Sequence, residues 1–166
     1  GVVVNNFAVR GGTAETYLGS LRAPWNGGPA YPADLLIYTL SPDDVINGLD
    51  PDVWASRVRQ FFTAVRDSGS ALGDTDLVLV LPHIGRADFS NQCYQNYVDR
   101  AHGLAFAYGA ALVNLWGVGR NSWNYWNSLG YWGSTSSPGA SGSDALYMSD
   151  AGHAHVAGVI NSLLSS

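Results

Sequence analysis

The sequence contains no lysine, and all eight of its cations are arginine. Glutamate is almost as scarce: Glu15 stands alone, so twelve of the thirteen acids are aspartate. With abundant Ala, Gly and Val, this bias reads as a GC-rich coding background. Net charge is −5 and no basic patch is visible, which argues against nucleic-acid binding. The single cysteine excludes a disulfide framework and a cysteine-based metal site. Its setting, Asn91-Gln92-Cys93-Tyr94-Gln95, holds no cation to lower the thiol pKa, so a buried, inert thiol is expected. No run of eighteen apolar residues occurs, hence no membrane span is expected. The opening Gly1-Val2-Val3-Val4-Asn5 lacks the basic start and cleavage pattern of a signal peptide. It reads instead as the inside of a strand, as in an excised or processed segment.

What is present suits one ordered domain across residues 1–166. Nearly half of the chain, 46%, is apolar, enough for a real core at this length. Four continuous apolar runs read as parallel strands covered on both faces: Val2-Val3-Val4, Leu35-Leu36-Ile37-Tyr38, Leu77-Val78-Leu79-Val80-Leu81 and Ala111-Leu112-Val113-Asn114-Leu115. Helical periodicity falls between them. Trp54, Val58, Phe61, Phe62 and Val65 follow the start signal Asp50-Pro51-Asp52. Tyr94, Tyr97, Val98, Ala101, Leu104 and Ala105 repeat the pattern. A last helix is expected from about Asp150 to Leu164, capped by Ser149, with Val156, Val159, Ile160, Leu163 and Leu164 facing inward.

Strands alternating with helices imply a three-layer α/β/α domain with a parallel sheet and right-handed crossovers. Ligands of such sheets bind beyond the carboxyl ends of the strands. Three segments there carry chemistry. Asn6-Phe7-Ala8-Val9-Arg10-Gly11-Gly12-Thr13 follows the first run, and its glycines allow backbone N–H groups close to a ligand. Ser41-Pro42-Asp43-Asp44 follows the second; its acids can cap a helix, act as acid or base, or bind a metal, and capping is the commonest outcome. Ser143-Asp144-Ala145-Leu146-Tyr147-Met148-Ser149-Asp150-Ala151-Gly152-His153 brings acid and imidazole together ahead of the last helix.

In order and spacing these segments resemble the second, third and fifth sequence blocks of the SGNH (GDSL-type) hydrolases, and the resemblance covers nearly the whole chain. It implies a flavodoxin-like sheet and an ester hydrolase without a cofactor. Gly11 matches the oxyanion glycine of that family. Asp44 matches the last Asp of the third block, and Asp43 falls where the family has an oxyanion Asn. An ionised Asp can only accept a hydrogen bond, and losing one oxyanion donor costs roughly 3–4 kcal/mol of transition-state stabilisation. The family's Gly-Asp-Ser nucleophile block is absent; Gly73-Asp74-Thr75 reads as a turn. The domain is therefore expected to be N-terminally incomplete. Its central first strand would come from an upstream segment or another chain that completes the sheet.

The fifth block aligns in two ways. The literal Asp-x-x-His is Asp150-Ala151-Gly152-His153. By context, Asp144-Ala145-Leu146-Tyr147 is the matching quartet, with Ser149 as cap, and Tyr147 then stands at the histidine position. A Tyr hydroxyl, with pKa about 10, is a poor general base at neutral pH. Among the other histidines, His83 at a strand end suits loop or ligand contact, His102 suits a structural place in a helix, and His155 has no catalytic argument.

Residues 116–143 form a long aromatic stretch ending in Ser/Gly-rich sequence, an uncommon length for a connection and often a functional one. Trp123, Tyr125, Trp126 and Trp132 would either stack on sugars or anchor a partner, or else bury one another in an ordered loop. Two functional classes follow. One is a catalytically impaired binding or structural module of a secreted protein or virion, its partner a polysaccharide or acylated glycan. The other is an active esterase or carbohydrate deacetylase with its serine upstream, His153 as base, and Asp150 or Asp144 orienting it. No Gly-x-Gly-x-x-Gly follows a strand, so dinucleotide binding ranks well behind both.

Overall fold

Three of the four apolar runs become strands of one parallel sheet in the computed structural model, which describes residues 12–20, 34–67, 75–83, 91–120, 122–133 and 148–165. The fourth, Val2-Val3-Val4, lies outside the described residues, as do Gly11, Asp144 and Tyr147. In chain order the elements are α1 (Ala14–Ser20), β1 (Leu35–Thr39), α2 (Pro42–Ile46), α3 (Pro51–Asp67), β2 (Asp76–Leu81), α4 (Asn91–Tyr108), β3 (Ala111–Asn114), α5 (Leu115–Val118), α6 (Trp123–Ser128) and α7 (Asp150–Leu164). The sheet order is β1-β2-β3, with Ile37 opposite Val78 and Leu79 opposite Leu112.

β2 divides the core, because successive side chains of a strand point to opposite faces. Leu77, Leu79 and Leu81 join the cluster built with α1, α3 and α4, where Trp54, Val58, Phe62, Tyr94, Tyr97 and Leu104 are buried. Val78 and Val80 join Val113, Leu115, Trp126 and Trp132 on the other face, against which Val156, Val159 and Ile160 of α7 pack. The described domain is thus mixed α/β, with helices on both faces of a parallel sheet.

Local chemistry sets the helix boundaries. The Asp50 carboxylate accepts the N–H groups of Asp52 and Val53 and starts α3, with Pro51 at its first position. Ser149 caps α7, its hydroxyl accepting the Gly152 N–H at 3.1 Å. Every inward position expected for α3 and α4 is buried.

Four expectations need correction. Leu163 and Leu164, expected to face inward, are half exposed, because the last turn of α7 runs past the cluster on which Val156 and Ile160 pack. Cys93 is exposed rather than buried: it precedes the inward Tyr94 by one residue, which turns it to the outer side of α4. His102, expected to be structural, is likewise exposed. The run after β3 is not a plain loop, for Asn114 and Ser122 cap the short helices α5 and α6 inside it.

Phe62 is fully buried and touches Tyr38, Phe61 and Tyr108, whereas Phe106 is 91% exposed. In urea denaturation, Phe62→Ala is expected to lose about 3–5 kcal/mol of stability. Phe106→Ala should stay within about 0.5 kcal/mol of the parent.

Candidate functional site

Ser41-Pro42-Asp43-Asp44 lies directly after the carboxyl end of β1, and Asp44 dominates this segment. Ser41 caps α2 by accepting the Asp43 N–H at 3.2 Å, so Asp43 occupies the first helical turn, half buried. Asp44 is 1% exposed. Its two carboxylate oxygens lie 3.0 and 3.3 Å from the backbone nitrogen of Ala14, which donates to them at the start of α1. A carboxylate thirty residues away in sequence thereby caps α1 and ties its start to the segment that follows β1. Nearby, Arg57 bridges to Glu15 at 3.0 Å, binding α3 to α1. The Tyr97 hydroxyl of α4 donates to the Leu49 carbonyl, and burial pushes its pKa up to about 12.

Burial also raises the Asp44 pKa above the ordinary carboxylate value. The Ala14 N–H and the Arg57 charge oppose that shift, and Asp43 adds to it. Asp44 therefore keeps two segments in place under a desolvation cost, a structural task. Asp43, a carboxylic side chain, presents no amide donor.

The start of α7 is fastened elsewhere. Ser149 donates its N–H to the Tyr131 carbonyl at 3.0 Å and its hydroxyl to the Gly130 carbonyl at 2.7 Å. Met148 bridges Trp132 in antiparallel fashion. A Cβ on Gly152 would sit 2.4 Å from the Tyr131 carbonyl oxygen, so only glycine lets α7 approach this closely. Asp150 and His153 are both exposed on the first turn of α7. Among the described residues, no hydrogen bond or ion pair joins them to one another, and none joins either side chain to Asp43 or Asp44. The structure thus ties the start of α1 to Asp44, and among the described residues no bond joins the Asp150–His153 pair to that contact.

Aromatic rings fill the space past β2. His83, 1% exposed, stacks on Trp126 at 4.9 Å between centroids and lies against Trp116 at 4.8 Å and Trp132 at 5.7 Å. Tyr94 meets Trp116 edge-on, and its hydroxyl donates to the Pro82 carbonyl. His155 stacks on Tyr131 at 4.7 Å and points edge-on at Trp126. Gly119 has no room to spare: an added Cβ would lie 2.0 Å from Trp126 Nε1 and 2.7 Å from His83 Cδ2.

Of the four aromatics considered for sugar or partner contact, Trp126 and Trp132 are core residues. This corrects their assignment as exposed binders; the segment spends those rings on its own packing. Trp123 and Tyr125 are half buried, and Arg120 places its guanidinium 4.4 Å over the Tyr125 ring. Arg120 itself has φ of 56°, a left-handed conformation that costs a residue with a Cβ roughly 1–2 kcal/mol.

The sequence reading missed the tertiary cap made by Asp44 and the burial of His83. Nothing local marks the first, since its partner lies on another segment. The Pro82-His83 pair directly after β2 pointed to the position of the second but not to its burial. Among the described residues, no three His, Cys, Asp or Glu side chains converge to hold a metal ion, and no helix is long and apolar enough to cross a membrane. No family model and no curated protein matches the chain.

Two outcomes test this reading of the site. Asp44→Ala, which leaves the buried Ala14 N–H without its acceptor, is expected to cost about 1–2 kcal/mol in denaturant unfolding. Because folding raises the Asp44 pKa, this carboxyl favours the fold most when protonated, below about pH 4, and loses that contribution as pH rises through its folded pKa. Asp44→Asn keeps an acceptor without the charge, so its stability relative to the parent should climb from about pH 4 upward and then level off. Separately, Gly119→Ala should destabilise by about 1–3 kcal/mol and perturb the near-ultraviolet aromatic dichroism.

Proposed function

We propose that this chain is an SGNH-hydrolase-like domain that has lost catalysis and serves as a binding or structural module, in a secreted protein or a virion component. The observation that carries the reading is the state of the would-be base. Among the described residues, Asp150 and His153 stand exposed on α7 with no bond between them, while the adjacent Ser149 is committed to capping and to the Gly130 carbonyl. A general base needs a partner that fixes its tautomer and orientation, and a nucleophile within reach. Asp43 at the oxyanion position supports the same reading, as does the ring packing around His83, which occupies the end of β2.

The ligand class that fits is a polysaccharide or acylated glycan. Trp123 and Tyr125, the half-buried rings of the aromatic segment, would meet it beside the Arg120 guanidinium. A second reading, an esterase or carbohydrate deacetylase, draws on the accessibility of His153: a serine supplied by another segment would find the imidazole exposed at the start of α7.

Hydrolysis of p-nitrophenyl acetate by the protein and by His153→Ala separates the two. For the module, no turnover above background is expected in protein shown to be folded by circular dichroism. Turnover that collapses in the variant would overturn the module and make His153 the base. In the binding arm, Trp123→Ala and Tyr125→Ala are each expected to weaken retention on acetylated polysaccharide about tenfold, a loss of about 1.4 kcal/mol.

A further inference from the structure

Arg120 is held by a ring rather than by an acid. Arg57 and Arg100 rest on the carboxylates of Glu15 and Asp52. Arg120 is exposed, and among the described residues no acid pairs with it. Its guanidinium lies 4.4 Å over the Tyr125 ring instead. A ring face attracts a cation but leaves the N–H fork of the guanidinium without oxygen acceptors. The charge is thus anchored in place and still open to an anion.

The backbone beneath this side chain is strained. Arg120 follows the cap of α5 with φ of 56°, the left-handed conformation that glycine ordinarily supplies at the end of a helix. Its N–H closes the turn on the Gly117 carbonyl at 3.0 Å, a bond that any residue other than proline would make. Gly119 ahead of it is wedged against Trp126 and His83, which fixes the turn. The turn therefore asks for glycine, and an exposed cation–π contact returns less than the Cβ costs there. Strain held in this way clusters at ligand clamps. Position agrees with such a role. Asn114 ends β3 and caps α5, so Arg120, Trp123 and Tyr125 belong to the segment directly beyond the carboxyl end of a parallel strand. Parallel α/β sheets receive their ligands on that side.

We infer that Arg120 is a specificity residue for a carboxylate: the glycan that Trp123 and Tyr125 would meet carries a uronic acid, and the Arg120 fork pairs with it. This rests on the domain being a glycan-binding module. A planar carboxylate matches the planar fork through two parallel hydrogen bonds. Net charge narrows the class further. The chain carries −5, so a densely sulfated polymer would be repelled by the rest of the surface. A polysaccharide with scattered uronates, neutral sugars between them, meets the cation and escapes most of that repulsion.

Affinity electrophoresis of the whole chain tests this, through acetylated gellan, whose repeat holds a single uronate, and through carboxyl-reduced gellan. The parent should bind the native polymer about tenfold more tightly than the reduced one. Arg120→Gln should lose that margin and bind the reduced polymer as the parent does. Arg120→Lys keeps the charge without the fork and should fall between. Arg120→Gly should bind like Arg120→Gln while its Tm equals or exceeds that of the parent, because glycine suits the turn. A lower Tm would make Arg120 a structural residue of the turn and overturn the inference. Equal retention of the parent and Arg120→Gln on both polymers overturns it while the glycan-binding module stands. No retention of the parent on either polymer overturns both. Stronger retention on dextran sulfate that Arg120→Gln abolishes overturns the choice of a carboxylate.

Discussion

A parallel strand flanked by neighbours on both edges carries helices on both faces and buries both, and β2 is where this domain meets that demand. Its alternation of Leu77, Leu79 and Leu81 with Val78 and Val80 supplies both clusters of the core. The leucine side takes the long, ring-rich helices α3 and α4. The valine side, shallower, takes α6 and α7. His83 then continues the line of β2 past its last residue and meets rings from both clusters, Trp116 on one side and Trp126 and Trp132 on the other. The strand that organises the core thus also fills the place where parallel α/β sheets usually receive a ligand.

Much of this was legible in the sequence, for identifiable reasons. Leu77 to Leu81 announces a doubly covered strand because five apolar residues in a row leave no polar face. Trp54, Val58, Phe61, Phe62 and Val65 announce α3 because only a 3.6-residue period puts them on one side. Ser149 was readable as a cap because its hydroxyl accepts an N–H of its own helix, that of Gly152 three residues on. Such signals are local, and tertiary partners are not. The thirty-residue reach from Asp44 to Ala14 has no pattern in one dimension, nor has the nesting of Gly119 against Trp126 and His83. The aromatic segment was ambiguous for the same reason: a tryptophan destined for a sugar and one destined for the core look alike until its neighbours are known.

The end of the last helix shows where periodicity misleads. Leu163 and Leu164 continue the stripe of Val156, Val159 and Ile160 faithfully, yet a stripe says only which way a side chain points and nothing about whether anything lies beneath it. Asp150 and His153 make the same point for chemistry. Their spacing suits a catalytic pair, but neighbouring positions on one turn can stay apart when nothing draws the side chains together.

The fastening of α7 has a consequence for how the domain comes apart. Among the described residues, Ser149 ties its start to Gly130 and Tyr131 by hydrogen bonds, and Val156, Val159, Ile160 and His155 pack against the core. None of the ladder bonds between β1, β2 and β3 passes through it. α7 can therefore open as a cooperative unit of its own, at a free energy below that of global unfolding. Such opening would lay bare Val78, Val80, Trp126 and Trp132 while the sheet stayed intact. The species most prone to aggregate would then be a nearly native one, missing a single helix, rather than the unfolded chain.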